Sequence, residues 1–406
     1  MKVLVNSYAV SPTMGSEPGV GWNWLVSLAQ YCELFIITEG EWRNDIEEAM
    51  LHLPQRNNMH FSFIPVQENV RKMFKNQGDW RFYYYYRKWQ IAALAEALRI
   101  CSENQIDVIH QLNLTSFREP GYLWKIKGPK FVWGPLGGTN ACPIDYIKGI
   151  DFKTTLKYRI KNCISRMQFR YNPRVKQAAK RADLIYCDSE SGVRCFYKYF
   201  GIKSLQINET GCTLIEGKHI DKSNHKSRFD ILWVGRFLPT KLLDLALRTI
   251  SSIDRGLDIK LHILGTGSLV EKYQSLATAL CIEDRCEWHG QVSREEVGQL
   301  MRQSSLFFFT SVVEGTPAVI MEAISNSLPI LCFDTCGFGP LVDERIGIKI
   351  PLSTPEQSIK DFSSKIEYLY NNRDILQGMS NNCMEKIKTI TWDCLAKRVV
   401  ELYKSI

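Results

Sequence analysis

The chain has 406 residues, of which 45% are hydrophobic and 23% are charged, and its formal net charge is +8. This length predicts two or three domains of ordinary size, and the composition is that of a soluble globular protein. No stretch reaches the roughly 18 apolar residues of a membrane span, and the N-terminus leads directly into a strand, so we expect no signal peptide. The 13 cysteines form no Cys-x-x-Cys pair, which favours free thiols in a reducing cytoplasm.

Strand and helix patterns alternate along the whole chain, which predicts an α/β fold. Residues 2–6 form the first predicted strand, and the glycine-rich segment 15–21 leads from it into a helix. Glycines in such a segment let the backbone approach a ligand closely. Residues 106–110 form a further strand that ends at His110, which on its own indicates a hydrogen-bonded structural histidine. Residues 131–138 form a third switch from strand to loop.

Residues 152–182 contain ten lysines and arginines and no aspartate or glutamate. Apolar residues recur there at helical spacing, which predicts one basic amphipathic helix of the kind that lies on a membrane surface. The alternative is a helix packed on its own domain with a solvated basic face. The basic residues are Lys153, Lys157, Arg159, Lys161, Arg166, Arg170, Arg174, Lys176, Lys180 and Arg181, and the apolar ones are Phe152, Leu156, Ile160, Cys163, Ile164, Met167 and Tyr171.

A polar stretch between residues 216 and 228 is the predicted linker. We therefore expect one domain over residues 1–215 and a second over residues 216–389. Two domains joined by one linker form a cleft, which is the usual place for a ligand site.

Two cations follow the next predicted strand, residues 230–235. Arg236 comes directly after this strand, and Lys241 follows five residues later, where a helix opens. Cations at the carboxyl end of a parallel strand suit a diphosphate, because arginine binds phosphate with two N–H groups and lysine adds a mobile charge. The alternative is a surface arginine and a lysine whose stem covers apolar surface.

Two glutamates, Glu314 and Glu322, stand between the predicted strands Leu306–Phe309 and Ile330–Phe333. We expect Glu314 in the loop after the first strand and Glu322 in the following helix, with Pro317 at the first helical position. The free N–H groups of this helix face the crevice where open α/β sheets bind ligands. Glu322 then lies roughly 7 Å further along the helix, about the span from a nucleotide's phosphates to its ribose. The alternative is a pair of solvated acids.

In this order, the segments resemble the C-terminal half of the retaining glycosyltransferases of family 4, which have the GT-B fold. Residues 234–236 with Lys241 match the family's diphosphate-binding pair, and residues 263–267 match its glycine turn. Residues 287–292 match the segment that lies beside the base. Residues 391–393 and the amphipathic helix after them resemble the family's closing helix, which crosses back to the N-terminal domain.

Glu314 and Glu322 match the family's E-x7-E motif, whose first acid faces the donor sugar and whose second holds the ribose. The N-terminal segment 15–21 is similar to the family's glycine-rich loop beside the donor diphosphate and the acceptor. His110 stands where the family has a histidine that contacts the transferred sugar. Residues 133–138 resemble a W-G-P-x-G-G stretch found in one branch of the family, which we assign to the acceptor side.

The resemblance implies two Rossmann-like domains that face each other across a cleft, with a closing helix at about residues 390–406. It also implies retaining transfer of a hexosyl group from a nucleotide-diphosphate sugar. The basic helix at residues 152–182 suits a membrane surface, so we expect a glycan or lipid-linked acceptor in bacterial surface polysaccharide biosynthesis. The residues assigned to catalysis are His110, Arg236, Lys241 and Glu314, the last as a contact to the donor sugar and not as a nucleophile. Donor binding is assigned to Gly15, Ser16, Gly19, Arg236, Lys241, Gly265, Val292, Glu314, Gly315, Thr316, Pro317, Ala318 and Glu322, and the acceptor side to Glu17, Gly137 and Gly138.

The sequence contains no Asp-x-Asp, the motif with which many glycosyltransferases hold a metal ion. We therefore predict metal-independent transfer without a cofactor, in which Arg236, Lys241 and the helix at Pro317 neutralise the leaving diphosphate. The predicted location is the cytoplasm, with peripheral attachment to the inner face of the cell membrane through residues 152–182.

Two residues depart from the family pattern. Leu242 follows Lys241 where glycine is common, and Thr316 stands where a bulky or aromatic residue is common.

Two rival functions share some of these features. A GT-B nucleotide-sugar epimerase or hydrolase would keep the ribose carboxylate and the cations, but it would form product without an acceptor. A basic nucleic-acid-binding protein is suggested only by the net charge, and no nucleic-acid motif accompanies it.

Overall fold

A computed structural model describes residues 1–76, 79–114, 116–213 and 228–406 of the chain. The predicted linker at residues 216–228 and the predicted boundary at residue 215 lie outside the described residues, apart from Arg228.

The strands all belong to parallel sheets. They are β1 (Lys2–Asn6), β2 (Glu33–Thr38), β3 (Met59–Phe63), β4 (Val108–Gln111), β5 (Lys130–Leu136), β6 (Leu184–Cys187), β7 (Leu205–Gln206), β8 (Phe229–Val234), β9 (Ile259–Leu264), β10 (Cys286–Gly290), β11 (Leu306–Phe309), β12 (Ile330–Phe333) and β13 (Gly347–Ile350).

All the helices except the last three lie between strands, and the last three follow β13. The helices are α1 (Ser16–Leu28), α2 (Arg43–Leu51), α3 (Glu68–Lys75), α4 (Phe82–Glu103), α5 (Phe152–Tyr171), α6 (Pro173–Arg181), α7 (Glu190–Phe200), α8 (Leu243–Ser252), α9 (Val270–Ala279), α10 (Arg294–Gln303), α11 (Ala318–Ser325), α12 (Pro355–Asn371), α13 (Arg373–Ile387) and α14 (Trp392–Ser405). Short 3-10 helices cover Arg56–Asn58, Leu123–Lys125, Ile144–Tyr146, Pro239–Lys241 and Glu283–Arg285.

The chain divides into two compact units. The first contains Met1–Thr139, Ser165–Thr210 and Trp392–Ile406. Its strands form one parallel sheet in the order β3-β2-β1-β4-β5-β6-β7. Strand β1 lies inside this sheet and reads as a continuous apolar run because both of its faces are covered, as is usual for parallel strands.

Helix α14 packs against α1 within the first unit. The indole of Trp392 meets that of Trp24 edge to face at 6.1 Å, and Leu395, Ala396 and Val399 are buried in the same apolar cluster. The prediction that the helix after residue 391 returns to the N-terminal domain is therefore confirmed.

The second unit contains Asn140–Ile164 and Gly211–Thr391. Its parallel sheet has the strand order β10-β9-β8-β11-β12-β13. Strands β11 and β12 have the predicted bounds, and every residue in them is buried. Burying one such phenylalanine or leucine side chain stabilises the fold by about 1.5–3 kcal/mol.

Two local predictions differ from the structure. The single helix predicted over residues 152–182 is two helices, because Asn172 caps a new helix and Pro173 takes its first position. The glycine-rich segment 15–21 is mostly helical, since α1 already begins at Ser16.

Candidate functional site

The second unit has a topological switch between strands β8 and β11. The chain runs outward from β8 through β9 to β10 and then returns to the other side of β8 as β11. Loops that leave the carboxyl ends of two such strands diverge and open a crevice, which is where open α/β sheets bind ligands. Lys241 follows β8 and Glu314 follows β11, so both predicted residues belong to this switch.

Lys241 and Glu314 form an ion pair at the switch, and each side chain is only 16% exposed. The ammonium of Lys241 also lies 5.5 Å from the centre of the Phe309 ring. The hydroxyl of Ser311 donates a hydrogen bond of 2.6 Å to the carboxylate of Glu314. The structure therefore brings together a cation and an acid that the sequence places 73 residues apart.

Hydrogen bonds between the two loops hold this pair in place. The hydroxyl of Thr310 donates to the carbonyl of Lys241 at 2.7 Å, and the indole N–H of Trp233 donates to the same hydroxyl at 3.0 Å. The N–H of Val312 donates to the carbonyl of Thr240 at 3.0 Å. Because these groups are buried, the bonds fix the position of Lys241 relative to the loop after β11.

Leu242 adopts the left-handed conformation, with φ of 52° and ψ of 46°. Glycine, which is common here in the family, takes this conformation without cost, whereas another residue loses about 1–2 kcal/mol. The Leu242 side chain is fully buried, which offsets a loss of that size. The loop after Lys241 therefore keeps a backbone suited to glycine even though its residue is leucine.

Arg236 lies two residues after the end of β8 and is exposed, and no ion pair to it is found among the described residues. The backbone beside it is tightly packed against the next loop. Gly265, at the end of β9, has φ of 129°, and a Cβ atom there would come within 1.9 Å of the carbonyl oxygen of Gly235. Only glycine fits at residue 265, so the predicted glycine turn has a steric basis.

Helix α11 begins at Ala318, and Pro317 precedes it as the N-cap, one residue earlier than predicted. The first N–H groups of a helix lack partners within the helix and attract anions. Thr316 is buried, and its hydroxyl oxygen has no hydrogen-bond partner among the described residues. The carbonyl of Gly315 accepts from the N–H of Gly337 at 3.1 Å, which holds the turn before the helix.

Glu322 is the fifth residue of α11 and pairs with Arg294 at 3.3 Å. The side chain of Arg294 is 84% exposed, and that of Glu322 is 30% exposed. Exposed ion pairs contribute about 0–1 kcal/mol, so the carboxylate can exchange this partner for ribose hydroxyls. Val292 lies two residues before Arg294 and is half-buried.

The first unit holds the other predicted residues. Glu17 accepts a hydrogen bond of 2.6 Å from the N–H of Leu114, in the loop after β4, and burial raises the pKa of its carboxyl. Gly15 and Ser16 are exposed at the start of α1. A Cβ atom at Gly19 would come within 2.4 Å of the carbonyl oxygen of Met14, so this turn also requires glycine.

His110 lies in β4 and is fully buried. Its Nε2 lies 2.8 Å from the carbonyl oxygen of Gly134 and 2.7 Å from the hydroxyl of Tyr186, and its Nδ1 lies 2.5 Å from the hydroxyl of Tyr403. Burial lowers the pKa of His110 to about 4, so the ring is neutral at physiological pH. Both ring nitrogens are engaged within the unit, a geometry that favours a structural role for His110.

Gly137 and Gly138 follow β5, and the guanidinium of Arg118 lies beside them. A Cβ atom at Gly138 would come within 2.7 Å of Arg118 Nη1. Among the described residues, the guanidinium donates to the neutral side chains of Gln168, Ser116 and Ser165, at 2.9, 3.1 and 2.5 Å. The W-G-P-x-G-G stretch is therefore packed against a partly buried cation.

A family profile described as glycosyl transferases group 1 matches residues 215–386, which include the whole switch. Residues 215–386 thus carry the sequence features of this family. An uncharacterized glycosyltransferase of Methanocaldococcus jannaschii is 27% identical over 176 residues, which are 43% of the chain and 48% of the relative. A lipopolysaccharide 1,6-galactosyltransferase of Escherichia coli is 41% identical over 83 residues, which are 20% of the chain and 23% of the relative. The chain thus spans about half, or less, of the length of such relatives.

Solved structures extend the similarity to the whole chain. A lipopolysaccharide outer core galactosyltransferase in its apo form superposes with a TM-score of 0.67 and 17% identity, over 100% of both chains. The Anabaena protein HepE in complex with UDP superposes with a TM-score of 0.63 and 13% identity, also over 100% of both chains. These similarities establish the GT-B fold of the chain and confirm that prediction.

One buried acid was missed by reasoning from the sequence. Asp188 follows β6, is 2% exposed, and has one carboxylate oxygen without a hydrogen-bond partner among the described residues. Burial raises the pKa of Asp188 to about 7, although a hydrogen bond with Ser189 lowers it in part. The signal in the sequence is its place directly after a strand, where other polar residues of this chain also lie.

Proposed function

We propose that the protein is a retaining glycosyltransferase that moves a hexosyl group from a nucleotide-diphosphate sugar to a glycan or lipid-linked acceptor. The observation that carries this proposal is the meeting of Lys241 with Glu314 at the sheet's switch point, beside the start of α11. The names of the relatives support it, since two of them are lipopolysaccharide 1,6-galactosyltransferases. Structures of the similar Anabaena protein contain UDP and UDP-glucose. We place the reaction in bacterial surface polysaccharide biosynthesis.

In this proposal the donor diphosphate lies against Arg236, Lys241 and the first N–H groups of α11. Negative charge develops on the diphosphate as the sugar leaves, and fixed positive groups stabilise it most in the transition state. The absence of Asp-x-Asp from the sequence supports a transfer that needs no metal ion for this task. Glu314 contacts the donor sugar, and its pairing with Lys241 links the sugar to the diphosphate.

The first unit supplies further contacts in the proposal. Gly15, Ser16 and Gly19 border the donor, and Glu17 with the glycines at residues 137 and 138 border the acceptor. We assign His110 a positioning role in place of direct catalysis, because its two ring nitrogens already have partners.

Donor binding provides the direct test. A thermal-shift panel of UDP-, GDP- and ADP-sugars should identify one base, because a ligand at 100 times its dissociation constant stabilises the fold by roughly 2.7 kcal/mol. Product analysis with the stabilising donor then separates the functions. Transfer that requires an acceptor supports the proposal, whereas an isomerised or hydrolysed sugar formed without acceptor indicates an epimerase or hydrolase.

Replacing Glu322 with alanine is expected to weaken binding of both the donor and the free nucleoside diphosphate about 10- to 150-fold. The reason is that a hydrogen bond to a charged group is worth roughly 1.5–3 kcal/mol. Isothermal titration calorimetry measures both affinities. The matched control is Arg294→Ala, which removes the partner of the carboxylate but keeps the carboxylate itself. Unchanged binding of both ligands by Glu322→Ala would remove this residue from the site.

We also propose that the protein docks on an anionic membrane surface through helix α5. Six apolar side chains of this helix are 45–79% exposed. At 3.6 residues per turn they fall within an arc of about 120°. The opposite side of the helix contains the buried residues Thr155 and Phe169. The six residues are Phe152, Leu156, Ile160, Ile164, Met167 and Tyr171.

Exposed basic residues border this arc on both sides. By the same helical geometry, Lys157 lies just beyond one edge and Arg159 and Arg166 lie beyond the other, while Lys153 and Arg170 fall within the arc near its two edges. None of these five forms an ion pair with any residue that the structure describes. An apolar face flanked by unpaired cations complements an anionic bilayer. The aliphatic parts of the lysine and arginine side chains can lie against the acyl chains while their charged ends bind the lipid headgroups. Arg174 and Arg181 of α6 instead pair with Glu119 and Asp183.

The protein should sediment with vesicles that contain anionic lipid, more strongly at low than at high salt, because each basic residue near the surface adds about 1 kcal/mol. The double variant Ile160→Asn with Ile164→Asn should lose this binding. Leu98→Asn is the matched control, since Leu98 is an equally exposed apolar residue of α4. Failure of the wild-type protein to bind either anionic or neutral vesicles would contradict the membrane role and indicate a soluble acceptor.

A further inference from the structure

Three potential metal ligands converge on one face of the second unit's sheet. His262 of β9 is directly opposite Glu287 of β10 in the parallel register. His289 lies two residues beyond Glu287, where the register is irregular, and its ring is in contact with that of His262. One ligand atom from each residue lies within 4.8 Å of the others. The sequence gives no sign of this cluster, because 27 residues separate the two histidines and only the strand register brings them together.

The distances between the ligand atoms match those around a tetrahedral zinc ion. His262 Nδ1 lies 3.0 Å from His289 Nε2 and 3.6 Å from Glu287 Oε2, and His289 Nε2 lies 3.5 Å from Glu287 Oε1. With bonds of about 2.0–2.1 Å, two ligand atoms of a tetrahedral zinc ion are about 3.3 Å apart. The two nitrogens and the Glu287 carboxylate, one of whose oxygens lies near each nitrogen, are therefore close enough to share one ion, whose fourth position would be open to water.

Asp230 supplies the second observation. Its Oδ1 lies 2.9 Å from His262 Nε2, on the far side of the ring from the cluster. A hydrogen bond from Nε2 to this carboxylate places the proton on Nε2 and leaves the Nδ1 lone pair facing Glu287 and His289. Histidines that bind metal ions almost always donate their other ring N–H to a carboxylate or carbonyl in this way.

We propose that His262, Glu287 and His289 bind a divalent transition-metal ion, zinc foremost, and that Asp230 orients His262. Two imidazoles and one carboxylate are a ligand set that suits zinc. The ion would join β10, which is an edge strand, to β9. It would thereby fix the start of the segment that contains Val292. The site includes neither Arg236 nor Lys241 nor Glu314, so it is separate from the metal-independent transfer proposed above.

The test is the metal content of the purified protein after dialysis against Zn²⁺ and then against metal-free buffer. The wild-type protein should retain one zinc ion per chain, and His289→Asn and Glu287→Gln should retain none. His60→Asn is the matched control, because His60 also lies beside a single glutamate, Glu33, at 3.2 Å but lacks further ligands within the described residues. Asp230→Asn should keep the stoichiometry and bind zinc about 10- to 100-fold more weakly.

The protein also contains 13 cysteines, a residue type that binds zinc through sulfur. Co²⁺ substitution and X-ray absorption therefore provide the second measurement, and we expect a nitrogen and oxygen shell without sulfur. A sulfur-containing shell, or equal zinc content in His289→Asn and His60→Asn, would overturn the proposal and leave a hydrogen-bonded histidine pair. Donor binding in the thermal-shift panel is a separate readout, so failure here and failure of the proposed transfer are distinguishable.

Discussion

Replacing Lys241 with alanine is expected to slow sugar transfer by about 100- to 1000-fold, the range found when one preorganised charge-stabilising group is removed from an enzyme. Donor binding should weaken much less, because the diphosphate carries its greatest negative charge in the transition state. Single-turnover rates and donor dissociation constants measure the two effects separately. A loss of donor affinity as large as the loss of rate would contradict this role.

Lys386→Ala is the matched control for Lys241→Ala. Lys386 pairs with Asp343 at 3.0 Å, and its side chain is 15% exposed, so the substitution removes a lysine from a similar half-buried ion pair in the same unit. It should cost stability without slowing transfer. Excess EDTA should also leave the rate of the wild-type enzyme unchanged, and complete loss of transfer on chelation would overturn the metal-free mechanism.

Replacing Asp188 with asparagine is expected to change how stability depends on pH. The pKa of this carboxyl is about 7 in the folded protein and 3.8 without burial, so the folded state binds the proton more tightly. The contribution of this carboxyl to the free energy of unfolding is therefore greatest below pH 3.8. It falls by roughly 4 kcal/mol in total as the pH rises to about 7. Urea unfolding of both proteins between pH 4 and 8 should show that the free energy of unfolding of Asp188→Asn increases relative to that of the wild type as the pH rises.

Asp183→Asn provides a control, because the stability that this carboxyl contributes depends on pH in the opposite direction. Burial raises the pKa of Asp183, but the N–H of Phe131 and the guanidinium of Arg181 outweigh it, and the net pKa is lowered. Wild-type stability from this group is present above pH 3.8 and is lost as the pH falls. A difference between Asp188→Asn and the wild type that stays constant with pH would show that the carboxyl is not protonated in the folded state.

Much of the second unit follows from the sequence. Four consecutive buried residues such as Leu306–Phe309 have few alternatives to a strand inside a parallel sheet. Lys241 and Glu314 are assigned to one donor site through the family resemblance, and the adjacency of β8 and β11 in the sheet is what brings them together. The break at Asn172 and Pro173 was also visible in the sequence, but helical spacing on both sides of it concealed the new helix.

Other features depend on tertiary contacts that the sequence does not encode locally. His110 acquires a partner from Tyr403, 293 residues later, and so its engagement could not be predicted from the strand that contains it. The burial of Asp188 depends on how the loops after β5 and β6 pack. The contact between Arg294 and Glu322 joins two helices whose relative rotation is set by the core beneath them.

The return of helix α14 to the first unit affects the order in which this protein can fold during synthesis. Domains generally fold as units as they emerge from the ribosome, with the N-terminal one first. Here the apolar cluster around Trp24 lacks Leu395, Val399 and Tyr403 until residues 392–406 have been synthesised. The second unit has all its strands by residue 350, whereas the sheet that is synthesised first waits for its last helix. Premature release of the nascent chain before residue 392 would therefore leave Trp24 and its neighbours open to chaperones and to aggregation.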